Sequence, residues 1–186
     1  MRRVVSKDTT SALFINRFVM PKKGDKILDI GCGPGNLLND LIDVEYTGLD
    51  INDAYIRSAQ SRYGEKGTFI CGKVSEDAVE GEDRFDIVIA LGLLHHLDDH
   101  EAAVLFRLSR RVLKPGGRLI TFDGCYVPHQ SALARWFLSM DRGRFVRTED
   151  QYLKLASGSF SNLKSSLHHD FLRIPYTILI MECTKT

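Results

Sequence analysis

The sequence predicts an α/β fold: a doubly wound, mostly parallel sheet of seven strands. Three observations carry that reading. Short apolar runs alternate with helix-period segments between Lys26 and Asp123, the order that stacks parallel strands under right-handed crossovers. Those runs are nearly all apolar instead of alternating, as strands buried on both faces are. The chain has 186 residues, 44% of them hydrophobic and 26% charged, which suits one globular domain with a substantial core.

The elements follow in order. Residues 9–20 have an amphipathic helical pattern, with Leu13, Phe14, Phe18 and Val19 on one side and Pro21 and Gly24 as the stop. "KILDI" is a strand buried on both faces. "GNLLNDLID" reads as a helix, and "EYTGLD" as the second strand. "NDAYIRSAQSRYG" is a helix capped by Asn52 or Asp53. "GTFICGKV" is the third strand, "EDAVEGE" a link, and "RFDIVIAL" the fourth strand. "DDHEAAVLFRLSRRVLK" is a long helix, capped by Asp98 or Asp99 and stopped at Pro115-Gly116-Gly117. "GRLITFDG" is the fifth strand. Residues 124–147 break the alternation with arginines and aromatics. A helix at "TEDQYLKLAS" and two strands, "LKSSLHHDF" and "YTILIMECT", close the chain, with Pro175 between the strands. There is no internal repeat, linker or low-complexity tract.

In such sheets ligands sit at the carboxyl ends of the strands, and the informative residues cluster there. A dinucleotide loop reads G-x-G-x-x-G. Gly31 and Gly33 fit, but the sixth position is Asn36, and the spacing found is Asp29-x-Gly31-x-Gly33-x-Gly35. A carboxylate beside a pyrophosphate is repelled, whereas beside an ammonium or sulfonium it is attracted. The loop therefore favours a nucleoside ligand whose other end is cationic. Asp50 ends the second strand, where a carboxylate accepts both hydroxyls of a ribose. That position suits NAD and any adenosine ligand alike.

"LDIGCGPG", "YTGLD", "RFDIVIALGLLHHL" and "LKPGGRLITFD", in this order and spacing, resemble the class I S-adenosylmethionine-dependent methyltransferases. The likeness is to the small-molecule branch of type 11 or type 25 and covers roughly residues 25–123. The resemblance implies a Rossmann-like methyltransferase fold, its seventh and last strand antiparallel, that uses S-adenosyl-L-methionine and releases S-adenosyl-L-homocysteine. It divides the single domain 1–186 into an N-terminal helical cap (1–24), a cofactor-binding core (25–123), a substrate-side insertion (124–148) and a closing helix and strand pair (149–186). It implies that Asp29, Gly31, Cys32 and Gly33 surround the methionyl end of the cofactor. Asp50 would bind the ribose, Ile51 would pack on adenine, and Leu91 would lie near the methionyl carboxylate and sulfur. There is one departure. The acidic residue that commonly follows the third strand and meets the adenine amino group is here Lys73, which cannot accept a hydrogen bond. Adenine contact then falls to groups near Val74, or to Ser75 and Glu76.

Methyl transfer from a sulfonium needs alignment and exclusion of water, and a hydroxyl acceptor also needs its proton removed. His95 is the candidate base, oriented by Asp123 at the end of the fifth strand, with His96 as second choice. The competing reading makes these histidines packing or capping residues. His96 and His100 have i, i+4 spacing, but there is no H-E-x-x-H, and a capped, solvated first turn explains the neighbouring aspartates, so no metal is expected. His168 and His169 read as structural.

The segment after the fifth strand carries Tyr126, Arg135, Arg142, Arg144 and Arg147. Tyr126, Arg142 and Arg144 are the candidate acceptor contacts, since arginine forks bind carboxylate or phosphate. An anionic group on the acceptor is one reading and a solvated helix face the other. The closing segments also resemble methyltransferases of bacterial sugar and polysaccharide modification. The expected product is an O-methylated small molecule: a sugar or glycan, a secondary metabolite or a quinone-type phenol. Two alternatives are a non-catalytic subunit that binds an adenosyl ligand and, less favoured, an NAD-dependent oxidoreductase. A formal net charge of +1 and the absence of an Asn/Asp-Pro-Pro-Tyr/Phe sequence argue against nucleic acid. No apolar run approaches the roughly 20 residues of a membrane span, and the first residues lack the pattern of a signal peptide. Cys32, Cys71, Cys125 and Cys183 form no C-x-x-C pair and read as reduced thiols of a cytoplasmic protein.

Overall fold

The computed structural model describes residues 10–140, 143–172 and 174–186. The strands are β1 (Lys26–Ile30), β2 (Glu45–Asp50), β3 (Gly67–Cys71), β4 (Phe85–Leu91), β5 (Leu113–Tyr126), β6 (Arg147–Thr148), β7 (Asn162–His168) and β8 (Ile178–Thr184). The helices are α1 (Thr10–Phe14), α2 (Asp53–Tyr63), α3 (Asp99–Val112), α4 (Ala132–Met140) and α5 (Glu149–Ser157). Across the sheet the order is β3-β2-β1-β4-β5-β8-β7, and β6 pairs with the end of β5 off this path. β8 runs antiparallel to both its neighbours, and the other ladders are parallel. The sheet is thus the predicted seven strands plus a two-residue eighth.

The strands are apolar on both faces because both are covered. Ile27, Ile87 and Ile89 pack toward α1, α2 and α4. Leu28, Val88 and Ala90 pack toward α3 and α5. The chain reverses its order beside β1, where β2 lies on one side and β4 on the other, and a cleft opens at the strand ends.

Several local expectations are corrected. The segment after the glycine loop forms only a 3-10 turn, Asn36–Asn39, instead of a full helix. Its cap, Gly35, is left-handed and offers no side chain, and the Asn39 side-chain Nδ2 donates to the Asn36 carbonyl at 3.0 Å, competing with helical bonds. The first helix is α only over Thr10–Phe14 and continues as a π-turn, Ile15–Val19. α3 ends at Val112 because Leu113 is already extended and pairs with Phe85. Lys114–Gly117 then bulge out, and pairing resumes at Ile87 with Arg118. β3 stops at Cys71, so Gly72, Lys73 and Val74 leave the sheet.

Candidate functional site

The site is built at the carboxyl ends of β1, β2, β4 and β5. Gly31 follows β1 with φ +77°, and a side chain there would meet Leu93 at 3.1 Å; glycine supplies both the conformation and the space. The amides of Gly31 and Cys32 donate to the Leu49 carbonyl at 2.7 and 3.1 Å. Gly48 in β2 is needed for the same turn, since an added Cβ would lie 2.7 Å from the Cys32 sulfur. Asp50 ends β2. Its Oδ2 accepts from the Gly33 amide and its Oδ1 from the Asn52 amide, each at 2.8 Å. Two backbone donors therefore fix the carboxylate's orientation, and each oxygen retains a lone pair.

Beside Asp50 lies a cavity of about 120 Å³. Its apolar walls are Leu49, Ile51, Val74, Leu93 and Leu97. Gly31 and Gly72 bound it with backbone, and Asp50, Lys73 and Glu101 bring the charges. Ile51 is 68% exposed, an apolar side chain left uncovered at the cavity. Larger hollows lie elsewhere, for example about 670 Å³ between Arg110 and Ser159, but that one sits at the amino ends of the parallel strands. The small cavity is the one at the strand ends where the glycine loop and Asp50 converge, an apolar slot beside a fixed carboxylate. Gly31, Asp50, Ile51 and Val74, singled out from sequence, are brought together there.

Asp29, Cys32, Gly33 and Leu91 are not among its walls. Asp29 is only 2% exposed, and its Oδ2 accepts from the Tyr46 hydroxyl at 2.6 Å. Burial pushes its carboxyl up to about 7; the Tyr46 hydrogen bond opposes this, and the Asp50 charge adds to it. The open, charged lure for a cation expected from sequence is thus a buried carboxyl near its titration point. Burial also raises the Cys32 thiol far above its ordinary range. Gly33 contributes through its amide on Asp50, and Leu91 packs in the core layer with α2.

His95 and Asp123 meet, as the ends of adjacent strands allow. His95 Nδ1 and Asp123 Oδ1 are 2.8 Å apart, and the same oxygen accepts from the His95 amide at 3.1 Å. His95 is 6% and Asp123 2% exposed. Burial raises the Asp123 carboxyl, while the His95 contacts lower it in part. His96 is exposed, with its ring centroid 4.2 Å from that of His95. Gly143 lies directly on this pair: an added Cβ would run into the His95 ring and its carbonyl.

The segment before β6 holds the histidine turn in place. The Phe145 amide donates to the His95 carbonyl at 3.0 Å. Arg147, 6% exposed, donates to the carbonyls of Leu94 and Phe145 at 3.0 Å and of Leu97 at 2.8 Å. It also grips Asp99 Oδ1 through Nε at 3.0 Å and Nη2 at 2.7 Å. Its fork is therefore consumed inside the protein, which removes it from the arginines available to an anion. Arg144 is exposed, and Tyr126 is half-buried with the Arg135 guanidinium 5.5 Å from its ring centroid. Arg142 lies outside the described residues. Among the described residues no three His, Cys, Asp or Glu side chains converge as a metal site.

Sequence reasoning missed Arg147 as a brace and Leu93, Leu97 and Glu101 as cavity walls. One signal was visible: Asp98-x-x-Glu101 is a capping-box spacing, and it places Glu101 on the first turn of α3. The dinucleotide alternative loses further ground. Such sites seat pyrophosphate on the amino end of a full helix, and only the 3-10 turn Asn36–Asn39 stands there.

Residues 27–117 match a family described as a methyltransferase domain. The chain is 37% identical over 120 residues to 27-O-demethylrifamycin SV methyltransferase of Amycolatopsis mediterranei, covering 60% of this chain and 43% of that protein. It is 34% identical over 101 residues to a ubiquinone biosynthesis O-methyltransferase of Proteus mirabilis, covering 52% and 40%. The chain therefore spans less than half the length of these relatives. Among solved structures, the fold matches phosphoethanolamine N-methyltransferase 2 of Haemonchus contortus, in complex with phosphomonomethylethanolamine and S-adenosylhomocysteine. That match has a TM-score of 0.75 at 18% identity, over 94% of this chain and 52% of that one. By motif order, sequence and sheet topology, residues 27–117 form a methyltransferase domain of the class I S-adenosylmethionine-dependent, type 11/25 kind.

Proposed function

We propose that this chain methylates a hydroxyl group of a small-molecule acceptor, with His95 as general base and Asp123 as its orienting partner. The observation that carries the reading is the buried His95–Asp123 pair at 2.8 Å, on the turn that directly follows cavity residue Leu93. When bound, S-adenosylmethionine supplies an electrophilic methyl group. Asp50 would hold the ribose, the Gly31–Gly33 loop the methionyl portion, and Ile51 and Val74 the base.

The chemistry asked of the residues is modest. An Nδ1–H donated to Asp123 leaves the basic lone pair of the imidazole on Nε2. As the acceptor oxygen is methylated, its proton would pass to Nε2 of His95. Asp123 stabilises the imidazolium that results. The apolar side chains of Leu93 and Leu97 beside the turn would limit water at the electrophile. The names of the two curated relatives support oxygen as the acceptor atom, and a phenol or a sugar hydroxyl is the class proposed. Tyr126 and Arg144 would contact the acceptor, and Arg144, which is exposed, would receive an anionic substituent.

The test is a calorimetric titration with S-adenosylhomocysteine, run beside NAD, followed by methyl transfer from labelled S-adenosylmethionine to phenolic and sugar acceptors. Binding of the first ligand alone is expected. With an active acceptor, His95→Ala should lower turnover and leave S-adenosylhomocysteine affinity in place. Undiminished turnover would remove His95 from the base role.

A further inference from the structure

The cavity beside Asp50 holds a second carboxylate. Glu101, at the third position of α3, carries an ion pair to Lys73 with Oε1 and Nζ 3.0 Å apart. Its other oxygen, Oε2, accepts from the Asp98 amide at 3.3 Å, while the Glu101 amide donates to Asp98 Oδ1 at 2.8 Å. Both oxygens are thus held from opposite sides, one by the strand-end lysine and one by the helix cap.

Stability does not account for the lysine contact. The Lys73 side chain is 67% exposed and that of Glu101 31%, and such pairs contribute little to folding. Its effect is positional. It draws a carboxylate to the lip of an apolar slot whose walls are Leu49, Ile51, Val74, Leu93 and Leu97.

Adenine in such a slot presents one strong donor, its 6-amino group, which needs an acceptor once water is excluded. Lys73 occupies the position after β3 and only donates. Asp50, already fixed by the Gly33 and Asn52 amides, is committed to the sugar end. Glu101 is the other anionic side chain among the cavity's walls. We infer that Glu101, held in place by Lys73 and by the capping box of α3, accepts the 6-amino group of the adenosyl ligand. The acidic adenine contact has thereby moved from the strand end to the first turn of the helix across the cavity. This assignment rests on the proposed adenosyl site.

The experiment measures two ligands on each protein by calorimetry: S-adenosylhomocysteine and its purine analogue lacking the 6-amino group. The wild-type protein should prefer the amino ligand by about tenfold or more, the size of a hydrogen bond to a charged group. Glu101→Ala should reduce that preference to within about twofold. Glu101→Gln keeps the capping box and should fall between, because a neutral carbonyl is a weaker acceptor. Both ligands meet the same variant, so any general loosening from the lost cap cancels in the ratio. A wild-type preference near unity, or an undiminished preference in Glu101→Ala, overturns the assignment. Failure of the wild-type protein to bind either ligand instead overturns the adenosyl site, a distinct result.

Discussion

Replacing Arg147 by methionine keeps the buried hydrocarbon stem and removes the guanidinium that stitches three segments together. Five hydrogen bonds go with it: three to the carbonyls of Leu94, Leu97 and Phe145 and two to Asp99. They are not equal. The Asp99 side chain is 78% exposed and regains water, so its share is small. Phe145 is 38% exposed, and its carbonyl is resolvated in the same way. Leu94 is fully buried, though its carbonyl retains the Leu97 amide at 3.2 Å, and Leu97 is half-buried; losing the charged donor from each of these carbonyls costs roughly 1–3 kcal/mol. Taking both near the middle of that range gives about 3 kcal/mol of destabilisation. For a chain of this size each kcal/mol lowers the melting temperature by about 2–4 °C, so a fall of roughly 6–12 °C is expected. Thermal unfolding followed by circular dichroism reads this directly. Arg147→Lys should recover less than half of the loss, since an ammonium cannot reproduce the planar fork. A shift under about 2 °C for Arg147→Met would refute the reasoning and return Arg147 to the pool of ligand-facing arginines.

Asp50→Ala should weaken S-adenosylhomocysteine at least about tenfold in calorimetry, since two hydrogen bonds to a carboxylate are at stake; unchanged affinity would remove Asp50 from the ribose role. Asp29 is raised from 3.8 to about 7 by burial, so the folded state retains a proton that the unfolded state releases. Stability should then be greatest below about pH 4 with respect to this group and decline by up to about 1.4 kcal/mol per pH unit until about pH 7. Urea midpoints across that range should show the slope in the wild-type protein and its loss in Asp29→Asn; identical slopes would show that Asp29 is not the group responsible. Gly143→Ala would drive a methyl group into the His95 ring. It should lower the melting temperature and, once an acceptor is known, turnover, while leaving S-adenosylhomocysteine affinity within about twofold, a change of under 0.5 kcal/mol.

The succession of strands along the chain and the glycine turn after the first strand were legible in the sequence because both follow from local patterns. "KILDI" and "RFDIVIAL" are continuous apolar runs, which only strands covered on two faces can be. The glycines at 31 and 33 and the carboxylate at 50 stand at spacings set by a strand, a turn and a neighbouring strand. His95 and Asp123 could be paired on paper, since parallel neighbours end side by side. The local pattern failed where side chains compete with backbone. "GNLLNDLID" has helical spacing of leucines, yet Asn39 and the left-handed Gly35 reduce it to one 3-10 turn.

Composition and order alone determined that this chain is a doubly wound sheet with a glycine turn after its first strand, because burial of two sheet faces and the needs of a tight turn restrict residue types at fixed intervals. Tertiary structure decided which charges are buried and which line the cavity. Asp29 and Arg147 look available in sequence, but the first is buried against Tyr46 and the second is spent on the carbonyls of the His95 turn. Glu101 looks like an ordinary helix cap, but Lys73 brings it to the cavity. A charge's partners come from segments distant in the chain, 17 residues away for Asp29 and 53 for Arg147 at Leu94. Burial then determines whether that charge meets solvent, protein or ligand, and no local pattern encodes it.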